Sequence, residues 1–282
     1  MTPVITKKIY LDAIAVSGTA RQPLDVINQI RKDNDNYFIT EWIPSDCLDT
    51  FNRNMKDPSA KQKLISLGFA DHKGNPIKNK ITYKINSNSF RGDHWDKKPG
   101  IVCFGCSYTF GIGVDQHQSW PEVLGQKLKQ PVYNLGIPAF GLDAIMHYVL
   151  HWMDEDIPHP TAFFVMEPPP GRIVLWRRSH ETLSTLRNWL DNNYIKTEQQ
   201  KLEVIDSLEG TGQVVNLNAI ATLKLIAKYK NIPFYFFGNG HHLELDPDRD
   251  ARDLAHHSSV FLERVADFFA NEHDKYTKGV QL

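Results

Sequence analysis

Four short apolar runs stand out beyond residue 98: GIVCF (100–104), PVYNL (131–135), AFFVM (162–166) and PFYFF (233–237). None alternates strictly between apolar and polar positions, so each reads as a strand buried on both faces. Strands of that kind lie parallel and are joined by crossover helices. Helical spacings do recur between them. Over 143–153, Ile145, Tyr148, Val149 and Trp152 fall at i, i+3, i+4 and i+7, with Asp143 as the N-cap. A second helix is expected from Ser119, whose spacing to Glu122 matches a capping box. A last one starts near Ser258, where Phe261, Val265, Phe268 and Phe269 make one apolar stripe. Further helical patterns fall around 183–192 and 216–230. The alternation predicts an α/β fold, a three-layer sandwich around a mostly parallel sheet.

Upstream the pattern changes. Residues 1–97 are polar and punctuated, with KDNDN, a Lys-rich stretch from Lys56 to Lys63 and DHKGNPIKNK between short apolar pieces. The charged segment Asp93 to Gly100, closed by Pro99-Gly100, separates this amino-terminal extension (1–97) from a domain spanning 98–282. The whole chain of 282 residues is 41% hydrophobic and 23% charged, an ordinary globular composition that leaves ample chain for a core. Lys and Arg number 32 against 33 Asp and Glu, so the global charge draws the protein neither to nucleic acid nor to anionic lipid. The three cysteines Cys47, Cys103 and Cys106 do not make a disulfide framework. No apolar signal region or membrane-length run is visible, and a cytoplasmic protein is expected.

In an open parallel sheet, ligands bind beyond the carboxyl ends of the strands. The loops after residues 104, 135, 166 and 237 therefore matter most. The first carries Gly105-Cys106-Ser107-Tyr108-Thr109-Phe110-Gly111. A serine at such a strand-to-helix turn can present its hydroxyl above the sheet, with its backbone N–H near a helix start. Taken alone it reads more readily as a helix N-cap, because such caps are common. The loop after the fourth run leads to Asp253 and His256, three residues apart before the final helix. That spacing allows a carboxylate to orient an imidazole, which a serine hydroxyl needs as a base. By itself the pair also reads as a solvated acidic turn. Joint placement, in the chain order Ser, Asp, His at one sheet edge, points to acyl transfer.

At these residues the chain resembles the SGNH, or GDSL-type, hydrolases, whose sheet is flavodoxin-like. FGCSYTFG (104–111) is similar to the family's first block, a Gly-x-Ser-x-Thr turn, with Cys106 where the family often has Asp; ARDLAHHS (251–258) is similar to its Asp-x-x-His block. NLGIPAFGLD (134–143) is similar to the second block. The resemblance covers about 98–282. It implies Ser107 as nucleophile, His256 as general base and acid, and Asp253 as its orienting partner. The oxyanion would meet the N–H of Ser107 and that of Ala139, or of Gly141 as the alternative. The third block normally supplies an Asn side chain, whereas here Glu167-Pro168-Pro169-Pro170-Gly171-Arg172 follows the strand. Losing one such donor typically costs about 10²–10³ in turnover. Arg172 is one replacement, although it reads more readily as a surface ion pair, and Asn239, which follows a different strand, is a looser one. ITYKINSNSFRG (81–92) is also similar to a lead-in, Tyr-x-x-Asn-x-x-Gly-Phe-Arg-Gly, found in some members including phage-encoded ones, with Ser89 in place of its glycine.

The implied activity is a serine esterase, a carboxylic ester hydrolase acting on O-acyl esters, O-acetyl among them, of carbohydrate or small lipid. A small-molecule or glycan ester is the expected partner, with no cofactor and no metal. The same residues serve an acyltransferase if an alcohol displaces water, and a non-catalytic binding module would keep the scaffold alone. Cys103 and Cys106 have the spacing of a dithiol redox site, but a cysteine inside an apolar strand is more economically a buried structural one. Gly136 to Gly141 lacks the Lys-Ser/Thr of a phosphate loop. Asp246 to Asp250 imitates a calcium loop without its later Gly and Glu. His147 with His151, and His241-His242, lack a complete zinc set. Trp176 with Arg177-Arg178 fits a polar substrate less well than it fits a solvated helix face.

Overall fold

The computed structural model describes residues 37–43, 46–86, 90–95, 98–138, 141–143, 145–146, 160–169, 174–177, 182–185, 197–238 and 249–278. All four apolar runs form strands: β3 (Gly100–Gly105), β4 (Val132–Gly136), β5 (Pro160–Met166) and β8 (Phe234–Phe237). They make one parallel sheet in the order β4-β3-β5-β8. Successive side chains of a strand point to opposite faces, and both faces are covered. Val102 and Phe104 of β3, with Phe163 and Val165 of β5, pack against Ala219, Ile220, Leu223 and Ala227 of the long helix Glu198–Tyr229. Ile101, Cys103, Ala162 and Phe164 face the other way. They meet Trp120 and Leu124 of the helix Trp120–Leu128, and Phe261, Val265, Ala266 and Phe269 of the helix Ser259–Thr277. This is the expected three-layer α/β sandwich, with a parallel sheet between helices.

The order of the strands fixes where a ligand can sit. The chain runs from β3 outward to β4, then returns across β3 to β5. The direction of winding therefore reverses between β3 and β5, which opens a crevice beyond their carboxyl ends. Gly105 and Ser107 close β3 there, and Glu167 closes β5.

Several expectations change. Residues 183–185, at the start of the stretch expected to be helical, belong to a strand, β7 (Thr182–Thr185), paired antiparallel with β6, Val174–Arg177. Two threonines in four residues favour a pleated chain that has a partner; the rest of 183–192 lies outside the described residues. Ser119 is the N-cap of its helix but makes no capping box with Glu122: its oxygen accepts no helix N–H, and its hydroxyl is turned back to donate to Gln116 O at 2.8 Å. Asp143 is already helical beside Leu142, and Ile145 N donates to Gly141 O at 3.3 Å. Asp143 thus sits in the first turn, where a carboxylate still favours the helix dipole, rather than at the cap. Tyr148, Val149 and Trp152 lie outside the described residues. The final helix starts as expected, with Ser258 accepting from Phe261 N at 3.2 Å.

The described part of the amino-terminal extension has a two-stranded antiparallel ribbon, β1 (Phe38–Thr40) and β2 (Tyr83–Ile85), and two helices, α1 (Leu48–Asn54) and α2 (Pro58–Ser66). It packs on the segment that follows Ser107 and on Leu254. Ile43, Ile81, Tyr83 and Ile85 share a buried cluster with Phe110 and Ile112, and Leu254 packs on the cluster of Phe51, Leu64 and Ala70. Arg91 is buried, and its guanidinium donates to Phe110 O at 3.1 Å, to Gly111 O and to Val114 O at 2.8 Å. The extension therefore grips the segment that follows Ser107.

One close approach sets the height of that segment. A Cβ on Gly136 would fall on the backbone nitrogen of Phe110 and 2.7 Å from the carbonyl carbon of Thr109. The contact is tied by Asn134, which donates to Thr109 O at 2.9 Å and accepts from Gly136 N at 2.9 Å. Gly136→Ala is expected to destabilise the fold by about 1–3 kcal/mol through overpacking, measured as a lowered urea midpoint. An unchanged midpoint would mean that the strand and the turn are not in contact.

Candidate active site

After β3 the backbone turns at Gly105 and Cys106 into a single helical turn, α3 (Ser107–Phe110). Ser107 is the first helical residue. Cys106 occupies the cap and makes no side-chain capping bond. The Ser107 hydroxyl is therefore not the N-cap acceptor that a serine at such a turn so often is, and it lies 3.9 Å from Cys106 Sγ. Its backbone N–H belongs to the first turn, where helix donors lack an intrahelical acceptor. Ser107 is 2% exposed.

Asp253 and His256 are brought together. Asp253 Oδ2 lies 2.5 Å from His256 Nδ1, with the carboxylate 1% and the imidazole 15% exposed. The turn between them is not helical. Asp253 Oδ1 accepts from Ala255 N at 3.0 Å and from His256 N at 3.1 Å, while Leu254 adopts φ 55°. A leucine in the left-handed region is uncommon and persists only where its surroundings hold it. Burial pushes the Asp253 carboxyl up, but the His256 hydrogen bond and charge and the two N–H donors outweigh it and hold the group below its usual range. Asp253 thus stays an acceptor and fixes the proton of His256 on Nδ1, leaving Nε2 to accept.

Among the described residues, the one hydrogen-bond partner of Ser107 Oγ is Cys106 Sγ, and it is the neighbouring Tyr108 that lies against His256. The Tyr108 ring meets the His256 ring edge-on at 5.5 Å between centroids and the His257 ring at 4.7 Å. His257, adjacent in the chain, stacks on Phe261 at 4.0 Å while His256 holds the carboxylate. Of the remaining expected site residues, Gly141 is buried at the start of the turn that enters Leu142. Ala139, Arg172 and Asn239 lie outside the described residues, as do His147, His151, His241, His242, Arg178 and the segment 246–248; nothing is described of the Trp176 and Arg177 side chains. Cys103 and Cys106 are both buried free thiols. Burial, with the nearby Glu122 charge, pushes the Cys103 thiol well above its usual range and keeps it from forming the thiolate that redox exchange needs. Among the described residues, no helix is long and apolar enough to cross a membrane.

Residues outside the expected set also shape the site. Arg252 precedes Asp253 and is buried against Asp46, while the Asn54 amide donates to Asp253 O at 3.2 Å. The sequence signal was faint: an arginine beside the presumed orienting aspartate, and a lead-in containing Tyr83 and Arg91.

No protein-family model and no curated protein matches the chain. Among solved structures, the chain is similar to a member of the lipolytic protein G-D-S-L family from Veillonella parvula DSM 2008, at 16% identity over 61% of this chain and 96% of that one, with a TM-score of 0.30. It is also similar to an acetyl xylan esterase from the rumen bacterium Butyrivibrio proteoclasticus, at 10% identity over 68% of this chain and 67% of that one, with a TM-score of 0.35.

Proposed function

We infer that the protein is a serine ester hydrolase that cleaves O-acyl esters of carbohydrate or small lipid. The observation carrying this reading is the buried Asp253 bonded to His256 Nδ1 on the loop whose imidazole touches Tyr108, next to Ser107. Ser107 Oγ attacks the acyl carbonyl while His256 Nε2 takes its proton. The imidazolium that forms is stabilised by the Asp253 carboxylate. The tetrahedral oxyanion is met by the N–H of Ser107 and of Ala139 or Gly141, with Arg172 or Asn239 as the side-chain donor. His256 then protonates the leaving alcohol, and a water activated by the same nitrogen releases the acid from the acyl-enzyme. Since Ser107 is nearly enclosed and His256 keeps some exposure, the ester enters over the imidazole edge.

Covalent trapping tests the assignment. Incubation with a fluorophosphonate, followed by peptide mass spectrometry, is expected to place the phosphonyl group on Ser107, and an excess of p-nitrophenyl acetate is expected to slow its attachment. Modification of other residues alone, or none at all, sinks the reading.

A further inference from the structure

The amino-terminal extension carries no residue of the proposed triad, yet it ends in a closed cycle of buried bonds that passes through both halves of the site. Arg252 Nε donates to Asp46 Oδ1 at 3.1 Å and Oδ2 at 3.0 Å, and its Nη2 donates to Oδ2 at 2.7 Å and to Glu41 O. Both side chains are almost wholly enclosed, at 2% and 1% exposure. The guanidinium also lies over the Trp42 ring, 3.9 Å from its centroid. The Tyr83 hydroxyl donates to the same Asp46 Oδ2 at 2.6 Å and accepts from Gly113 N at 2.8 Å. Gly113 O in turn accepts from Arg252 N at 3.0 Å, which closes the cycle.

Four pieces of chain meet in this cycle: the loop at Asp46, strand β2, the loop after the Ser107 turn, and the loop that carries Asp253 and His256. One of them follows directly on the turn of the proposed nucleophile and one bears its base, and the other two belong to the extension. The loops are also pressed together, since a Cβ on Gly113 would lie 2.7 Å from Ala251 Cβ. Leu254, in its left-handed conformation, packs on Phe51, Leu64 and Ala70 of the extension, and Asn54 holds the Asp253 carbonyl. A buried ion pair is a poor source of net stability, because desolvation offsets much of its attraction. Its value here is geometric: the planar fork of an arginine fixes orientation as well as distance.

We propose that Asp46 and Tyr83 are positioning residues of the active site, holding the Ser107 turn and the Asp253–His256 loop in one register through Arg252 and Gly113. This rests on the hydrolytic reading above. It assigns to residues 37–95 a part in catalysis, not only in folding, since a displacement of about 1 Å between reacting groups can cost roughly 10²-fold in rate.

The test compares wild type with two variants in the full chain. The double variant Asp46→Leu with Arg252→Met replaces the ion pair by apolar groups, an exchange that is often neutral or stabilising. Tyr83→Phe removes only the hydroxyl that joins Asp46 to Gly113. Thermal melts establish that each is folded, and hydrolysis of p-nitrophenyl acetate and fluorophosphonate labelling of Ser107 are then followed. The expected result is a fall of about 10–100-fold in kcat for the double variant, and about tenfold for Tyr83→Phe, with KM little changed and labelling slowed in parallel. A folded variant that labels and turns over at the wild-type rate overturns the positioning role while leaving the hydrolase reading intact. Wild type that neither turns over nor labels overturns both. If the double variant does not fold, Tyr83→Phe alone decides.

Discussion

Ser107→Ala is expected to lower kcat for p-nitrophenyl acetate by roughly 10⁴–10⁶-fold while leaving thermal stability almost unchanged. The pairing of these two outcomes follows from the local structure. A serine that caps a helix contributes about 1 kcal/mol, and its loss would appear in the melt. Ser107 is instead the first helical residue, behind Cys106, and its hydroxyl makes no capping bond. Alanine is a good helix former that fits the same buried space. Stability and activity are therefore separable at this position. A variant that keeps wild-type turnover would remove the nucleophile from the mechanism. One that loses stability and activity together would leave the hydroxyl with a structural role only.

Asp253→Asn is expected to cost about 10⁴-fold in kcat without loss of the fold. The amide oxygen can keep the bonds from Ala255 N and His256 N, so the turn survives. The amide nitrogen then faces His256 Nδ1 as a donor. That compels the imidazole to carry its proton on Nε2, the atom that has to receive the proton from Ser107. Steady-state kinetics beside circular dichroism checks both halves. The acid limb gives an independent check. The Asp253 carboxyl is held below its usual range in the folded state, so it contributes stability that is fully present above the ordinary carboxylate range and is lost as pH falls through its folded value. The asparagine variant has no such group. The stability difference between wild type and variant should therefore narrow on acidification, measured by urea melts at neutral and acid pH. A difference that widens would mean that Asp253 is not the ionised partner of His256.

The sheet was legible because the pattern that predicts it is local. GIVCF, PVYNL, AFFVM and PFYFF each carry enough adjacent apolar residues to require burial on both faces, and no tertiary partner is needed to see that. The place of Ser107 just beyond a strand and the contact of Asp253 with His256 were legible for a related reason, since each follows from a short local spacing. Ser119 and Asp143 were misassigned in detail, since a cap depends on how a side-chain oxygen is aimed at the first helical N–H groups, and the Ser119 hydroxyl is turned toward Gln116 O. Residues 183–185 read as helix because their spacing is compatible with one, and only pairing with Val174–Arg177 makes them part of a strand. The links from Asp46 to Arg252 and from Tyr83 to Gly113 were beyond reach. Neither pair has a periodicity, and the first spans 206 positions of chain.

That long span bears on the order in which the protein can be made. On the ribosome, residues 37–95 emerge long before Arg252, and until it arrives the Asp46 carboxylate has no cationic fork to meet. Contacts so distant along the chain form late and slowly, because the intervening loop has to close first. A nascent polypeptide stalled before residue 252 would lack both this fork and the helix Ser259–Thr277 that covers one face of the sheet, and its amino-terminal half would be unfinished. Ribosome-bound chains released just before and just after that point should thus differ sharply in resistance to protease.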